Sequence, residues 1–240
     1  MNMKNCRNLL LAAAVLVAAS SCSDKVQVKG TLAGAPDTQV VVKHLSGSTL
    51  VTLDTLKTDA SGAYSCKIDV LKGQPQVVYL FKGDTKIASL FLQKGDKVKV
   101  ASDTLGKYSV EGSEESEKLR QVEEDFAAFI DKFSADAAAG DNAAASKDYI
   151  EYYRGCVKYI MTNSKSLTSI PVLYQKVNEN FPIFSQATDA ILFQNVHDSL
   201  MTVYPESKYL EALKKEAEKR FNIFNLSQRV QNARESSYPD

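Results

Sequence analysis

From Val26 to Gly112 the chain alternates apolar and polar positions in short runs interrupted by turn residues, the period-two signature of β-strands. Val26 to Lys29 opens the series, Ala35-Pro36-Asp37 turns it, and Gln39 to Leu45 and Leu50 to Thr58 follow around a Ser46-Gly47-Ser48 loop. Asp59-Ala60-Ser61-Gly62 turns into a run with Tyr64, Cys66, Ile68 and Val70 on one face. Period two places Cys66 on that core side. Val77 to Phe81 and Ile87 to Leu92 are nearly continuous apolar runs joined by Lys82-Gly83-Asp84 and read as central strands. Lys94-Gly95-Asp96 turns into Val98 to Ala101, and Tyr108 to Val110 closes the set. Eight or so short antiparallel strands in about 90 residues predict a β-sandwich over residues 26–112.

At Ser113 the period changes. Ser113 is placed to cap a helix whose first turn holds Glu114, Glu115 and Glu117, where the helix dipole favours carboxylates. Leu119, Val122, Phe126, Phe129, Ile130 and Phe133 then recur at three-and-four spacing. An Ala-rich break around Gly140-Asp141-Asn142 precedes a second helix with Ile150, Tyr153, Val157, Ile160 and Met161 on its stripe and Cys156 at its border. A short third helix is expected from Pro171 through Val177, ended by Phe181-Pro182. A fourth runs from about Ser185 to Tyr204 with Ile191, Leu192, Val196, Leu200 and Met201, and a fifth from Tyr209 to Phe224. The fold class expected is α+β: an N-terminal antiparallel β-sandwich followed by an all-helical domain over residues 113–240.

The first 25 residues fit neither pattern. Lys4 and Arg7 precede an uninterrupted apolar segment from Leu9 to Ala19, then Ser20-Ser21-Cys22, the zone order of a secretory signal. At about 1.5 Å per residue, an 11-residue helix covers only about half of a hydrocarbon core roughly 30 Å thick. Small residues directly before a cysteine look like a bacterial lipobox, which implies a diacylglyceryl thioether on Cys22 and an acylated new amino terminus. The alternative is an ordinary thiol after conventional cleavage. Under the first reading residues 1–21 are the signal peptide and residues 22–25 a tether of roughly 10 Å. The first folded domain then sits beside the bilayer, held by several acyl chains.

Composition adds exclusions. The 240-residue chain has 29 basic and 29 acidic side chains; loss of Lys4 and Arg7 with the signal leaves a slight acidic excess. That balance does not point to nucleic acid, which asks for a concentrated basic face. Of four cysteines, Cys6 leaves with the signal and Cys22 is the proposed anchor; Cys66 and Cys156 lie far apart with no C-x-x-C spacing. They are expected to be buried as small hydrophobes. His44 and His197 have no neighbouring Cys or His, so neither a metal site nor a cofactor is expected. Glu123, Glu124 and Asp125 read as a solvated helix face, and no Ser/His/Asp or paired-carboxylate spacing suggests catalysis.

The Asp59-x-x-Gly62-x-Tyr64 turn, Asn163-Ser164-Lys165-Ser166 and Tyr204-Pro205-Glu206-Ser207-Lys208-Tyr209, in this order behind a lipoprotein signal, resemble the N-terminal part of the thioredoxin-like lipoproteins of Bacteroidetes. In that family a domain of unknown function and a helical segment precede a thioredoxin domain. Its redox pair is a C-x-x-C usually preceded by tryptophan, and this chain contains neither. The resemblance therefore implies a non-catalytic docking portion of a thioredoxin-like system in the cell envelope, with a protein partner or a homodimer mate; Ser23-Asp24-Lys25 has too few acids for a strong surface-export signal, which points to the periplasmic side. A glycan- or peptide-binding envelope lipoprotein is the alternative. Asp54-Thr55-Leu56, Asp103-Thr104-Leu105 and Asp198-Ser199-Leu200 also look like O-glycosylation sites of exported Bacteroidetes proteins, which makes Thr55, Thr104 and Ser199 candidate acceptors, Thr104 foremost.

Overall fold

The computed structural model describes residues 25–46 and 49–235. Eight strands come first: β1 (Lys25–Leu32), β2 (Gln39–Ser46), β3 (Thr49–Lys57), β4 (Ala63–Asp69), β5 (Gln76–Lys82), β6 (Thr85–Leu92), β7 (Lys97–Ser102) and β8 (Tyr108–Glu111). They form two four-stranded sheets, ordered β4-β1-β7-β8 and β3-β2-β5-β6. Every pairing between these strands is antiparallel except β1 with β7, which run parallel with Val28 opposite Val98. Alternation places Val26, Val28, Tyr64, Cys66, Ile68, Val98 and Val100 inside the sandwich, against Val40, Val42, Val78, Leu80, Ile87 and Leu90 of the other sheet.

Gly30 and Gly62 show why this packing demands glycine. Gly30 lies opposite Tyr64 across the β1–β4 pair, and a Cβ there would fall 2.0 Å from the tyrosine ring. Gly62 adopts φ +82° in the Asp59 turn, where a Cβ would sit 2.4 Å from the Leu32 carbonyl oxygen. The Asp59 carboxylate accepts from Ser61 N (2.8 Å), Ser61 Oγ (2.6 Å) and Ala63 N (2.9 Å). The Asp-x-x-Gly-x-Tyr pattern is thus a folding device: a side-chain-closed turn, a left-handed residue, and a ring laid over a glycine.

Five helices follow: α1 (Glu114–Ala138), α2 (Asn142–Thr162), α3 (Ser169–Leu173), α4 (Ala190–Met201) and α5 (Lys208–Glu235). Ser113 caps α1 by accepting from Ser116 N, and Asp141 caps α2 by accepting from Ala144 N. The third helix is shorter than the sequence suggests. It ends at Leu173, and Val177 lies in a small hairpin of β9 (Lys176–Asn178) and β10 (Phe181–Pro182). Phe181 there stacks on Tyr149 of α2, with ring centroids 5.1 Å apart, so tertiary packing overrides the local helical start. The fifth helix runs 11 residues past Phe224. Ile150, Met161, Ile191 and Met201, expected on apolar stripes, are exposed; of the expected stripes Ile160 in α2 and Val196 and Leu200 in α4 are buried, joined by Cys156 and Phe193.

The helices do not form a core of their own. The outward face of the second sheet, with Val77, Tyr79, Phe91 and Leu45, packs into the same cluster as Leu119, Val122, Phe129, Leu173, Leu200 and Leu213. This explains why β5 and β6 read as unbroken apolar runs: both faces of their sheet are covered. It also corrects their expected placement, because β6 is an edge strand, sealed by α1 rather than by another strand. Ser116 of α1 supplies what a neighbouring strand would, accepting from Phe91 N (3.0 Å) and donating to Phe91 O (2.9 Å). The architecture is three layers, sheet on sheet on helices.

Candidate docking surfaces

Both internal cysteines are hidden, as the alternation predicts for Cys66. Cys66 is 7% exposed in the sandwich core and Cys156 5% exposed in the helical core. Both are free thiols in separate clusters. Burial pushes each thiol up to about 11, so the thiolate needed for exchange is suppressed at neutral pH. Cys156 Sγ donates weakly to Gln175 Oε1 (3.6 Å), which also accepts from Tyr152 OH (2.8 Å). His44 is held below the ordinary imidazole range by burial and then by Lys208. His197 is buried with Nδ1 3.0 Å from Asp198 Oδ1. Among the described residues no group of three or more His, Cys, Asp or Glu side chains is placed to hold a metal ion.

The acidic triplet of α1 divides. Asp125 accepts from Gln121 on the helix surface (2.8 Å), and Glu124 pairs with Arg120. Glu123 is half-buried and engaged: its carboxylate accepts from Lys86 Nζ (2.6 Å), Ser89 Oγ (2.8 Å) and Tyr108 OH (3.1 Å). Burial, then the Glu123 charge, pushes the Tyr108 phenol strongly upward. This group ties α1 to both sheets. Ser166 Oγ donates to Glu115 Oε2 (2.6 Å) within the helical layer. Tyr204 OH accepts from Gln93 Nε2 (3.2 Å) and Tyr209 OH from Val77 N (2.9 Å), which joins the helices to the second sheet.

The modification candidates lie in three different settings. Cys22 is outside the described residues. Thr55 is exposed on the edge strand β3, with Asp54 Oδ1 accepting its own amide (2.7 Å). Thr104 sits at the β7–β8 turn, which Asp103 Oδ1 closes by accepting from Leu105 N (2.9 Å) and Lys107 N (3.0 Å); these bonds hold the Asp103 carboxyl below its usual range. Ser199 is inside α4 and half-buried next to fully buried Leu200. The three triplets are not brought together.

What remains are surfaces. Leu210, Leu213 and Ala217 bury the first half of α5, and Arg220 locks it, stacking 4.1 Å over Phe193 and donating to Phe184 O (2.9 Å). From Phe221 onward the helix leaves the body, exposing Phe221, Ile223, Leu226 (62%) and Val230. Residues 221–233 hold one charged side chain, Arg229. The sequence pattern ended this helix at Phe224 because the stripe that buries the first half stops there; the second stripe, Ile223-Leu226-Val230, is rotated from it and was missed. Edge strand β3 exposes Leu50, Val51 and Leu53, and a groove of about 470 Å³ runs between α1 and α2 beside Phe129, Tyr152 and Cys156. Among the described residues no helix is long and apolar enough to cross a membrane.

No curated protein matches the chain. A domain of unknown function, DUF4369, is found at residues 26–119, a span that takes in the whole sandwich and the first turns of α1 with Ser113, Ser116 and Leu119.

Proposed function

We propose that the protein is a non-catalytic, lipid-anchored module of the cell envelope that docks another protein on the projecting half of α5. The observation that carries this reading is a surface helix with four large apolar side chains exposed and one charge in 13 residues. Solvated helices carry a polar outer face, so an apolar stripe of this kind calls for a covering partner. Both cysteines are sequestered with raised pKa values, which supports a binding role over thiol exchange. The resemblance to thioredoxin-like lipoproteins makes a periplasmic thioredoxin-fold protein, or a second copy of this chain, the partner to look for. Cys22 is the lipid attachment point, and Thr104, half-buried at the β7–β8 turn beside exposed Leu105, the glycan acceptor of first choice.

A photocrosslinking residue at Leu226, activated in intact cells and read by mass spectrometry, tests the docking surface. A discrete crosslinked partner that disappears when Ile223→Glu and Val230→Glu are added to the probe-bearing chain is the expected result. Crosslinking that is indiscriminate, or unaffected by those charges, would overturn it. One observation favours a peptide ligand instead: β3 is an unpaired edge of nine residues with exposed apolar side chains, the geometry of strand addition.

A further inference from the structure

The outer face of the first sheet is lysine-rich in a way the overall charge conceals. Strict alternation turns Lys25, Gln27, Lys29 and Thr31 of β1 outward, with Ser65, Lys67 and Asp69 of β4, Lys97, Lys99 and Ala101 of β7, and Ser109 and Glu111 of β8. Five lysines stand against two acids on a chain whose basic and acidic residues balance. Register brings the lysines side by side: Lys29 is opposite Lys99, and Gln27 is flanked by Lys67 on one side and Lys97 on the other. The two acids lie at the margins, Asp69 3.8 Å from Lys25 and Glu111 3.9 Å from Lys99. Like charges directly opposed across a sheet destabilise it, so the fold carries a repulsion that an anionic partner would relieve. The hollow on this face, about 750 Å³, is lined by Lys29, Lys57 and Lys99 together with Asp59 and Glu111. No aromatic side chain projects from these strands on that side, which disfavours stacking against a neutral sugar.

We infer that this face lies on the anionic headgroups of the bilayer that holds the amino terminus. The inference rests on the lipid-anchor reading. Two residues separate Cys22 from Lys25, which opens β1 on this very face, so an acyl anchor holds the Lys25 end of the face within roughly 10 Å of the headgroups. A broad, polar, aromatic-free sheet suits a planar surface of phosphates better than a single small ligand. The helices pack on the far side of the second sheet, so docking in this pose turns them away from the membrane. An excess of three positive charges, each worth about a fivefold bias near an anionic leaflet, favours the docked orientation about a hundredfold at low salt.

The test uses the acylated chain from native envelopes, reconstituted into phosphatidylcholine vesicles with or without about one third phosphatidylglycerol. Vesicles are floated, then treated with an amine-reactive reagent and analysed by mass spectrometry, with Lys158 and Lys219 on the helices as references. The expected result is protection of Lys29, Lys67, Lys97 and Lys99 on the anionic vesicles alone, abolished in about 1 M salt. Lys29→Gln/Lys97→Gln/Lys99→Gln, on an exposed face where folding is little affected, should leave Lys67 reactive. Equal labelling on neutral and anionic vesicles by a chain that still floats would overturn the docking face and leave the anchor intact. Failure to float would overturn the anchor itself and with it this pose. Protection by inorganic phosphate alone would replace the surface with a small-anion site and overturn the inference.

Discussion

Ser116→Ala removes one oxygen atom from the joint between the layers. Ser116 is fully buried and its hydroxyl meets both backbone groups of Phe91, accepting from N (3.0 Å) and donating to O (2.9 Å). The carbonyl keeps a donor in the variant, because Ser113 Oγ also reaches it (3.0 Å). The amide does not: Phe91 is 3% exposed, and an unpaired buried N–H costs about 1–3 kcal/mol. The expected loss is therefore about 2 kcal/mol, or about 4–8 °C in Tm for a chain of this size. The chain has no tryptophan, so urea unfolding is followed by circular dichroism in the far ultraviolet, and the dependence on denaturant should be unchanged. Ser65→Ala, on the open face of the first sheet, serves as the control and should stay within about 0.5 kcal/mol. A Ser116→Ala loss as small as the control's would refute the claim that a helix hydroxyl closes the β6 edge.

Four further outcomes are expected. Tyr209→Phe keeps the edge-on ring contact with Phe91 (6.4 Å) but strips the acceptor from Val77 N, and should cost about 1–2 kcal/mol in the same unfolding assay. Gly30→Ala drives a methyl into the Tyr64 ring and should destabilise by about 1–3 kcal/mol or abolish soluble folding, read by thermal melts. Cys66 and Cys156 should resist thiol reagents at pH 8 until the chain is unfolded. Their folded pKa values are raised from 9.0 to about 11, so the unfolded chain releases thiol protons first; their contribution to stability is complete below pH 9 and declines as pH rises through about 11. In protein isolated from its native host, Thr104→Ala should remove a glycan mass that Ser199→Ala leaves in place, as intact-mass spectrometry would show.

Most of the sandwich was legible because its strands face solvent on one side. β1, β4 and β7 alternate almost without fault, and that placed Cys66 inside without reference to any contact. Legibility failed where a second layer intervenes. β6 reads as a central strand because Phe91 and Ser89 are buried against α1 as thoroughly as Leu90 and Leu92 are buried in the sandwich. Glu123 reads as solvated because nothing local reveals that Lys86, Ser89 and Tyr108 converge on it from up to 37 residues away. The hairpin at Val177 likewise depends on Phe181 finding Tyr149. The lysine face was hidden for a different reason: its members are spread over three strands, and only register makes them neighbours.

The layering orients every candidate surface. β5 and β6 of the second sheet are covered on both sides, so apart from the exposed edge strand β3 the molecule has two broad outward aspects: the lysine face of the first sheet, and the helical layer from which α5 departs. A membrane on the first aspect leaves the second free for a protein. Sheets pack about 10 Å apart and helices about as far again, so a partner on the helical layer would be held roughly 20 Å further from the bilayer than the lysine face. The hydrogen bonds that clamp the layers, from Ser116, Glu123, Tyr204 and Tyr209, then maintain that spacing as well as the fold. Loosening the clamp without unfolding the sandwich should weaken partner crosslinking at Leu226 while leaving lysine protection on anionic vesicles intact. Tyr209→Phe is the variant for that separation: its hydroxyl touches the second sheet alone, and a parallel loss of both signals would show that the two aspects are not mechanically independent.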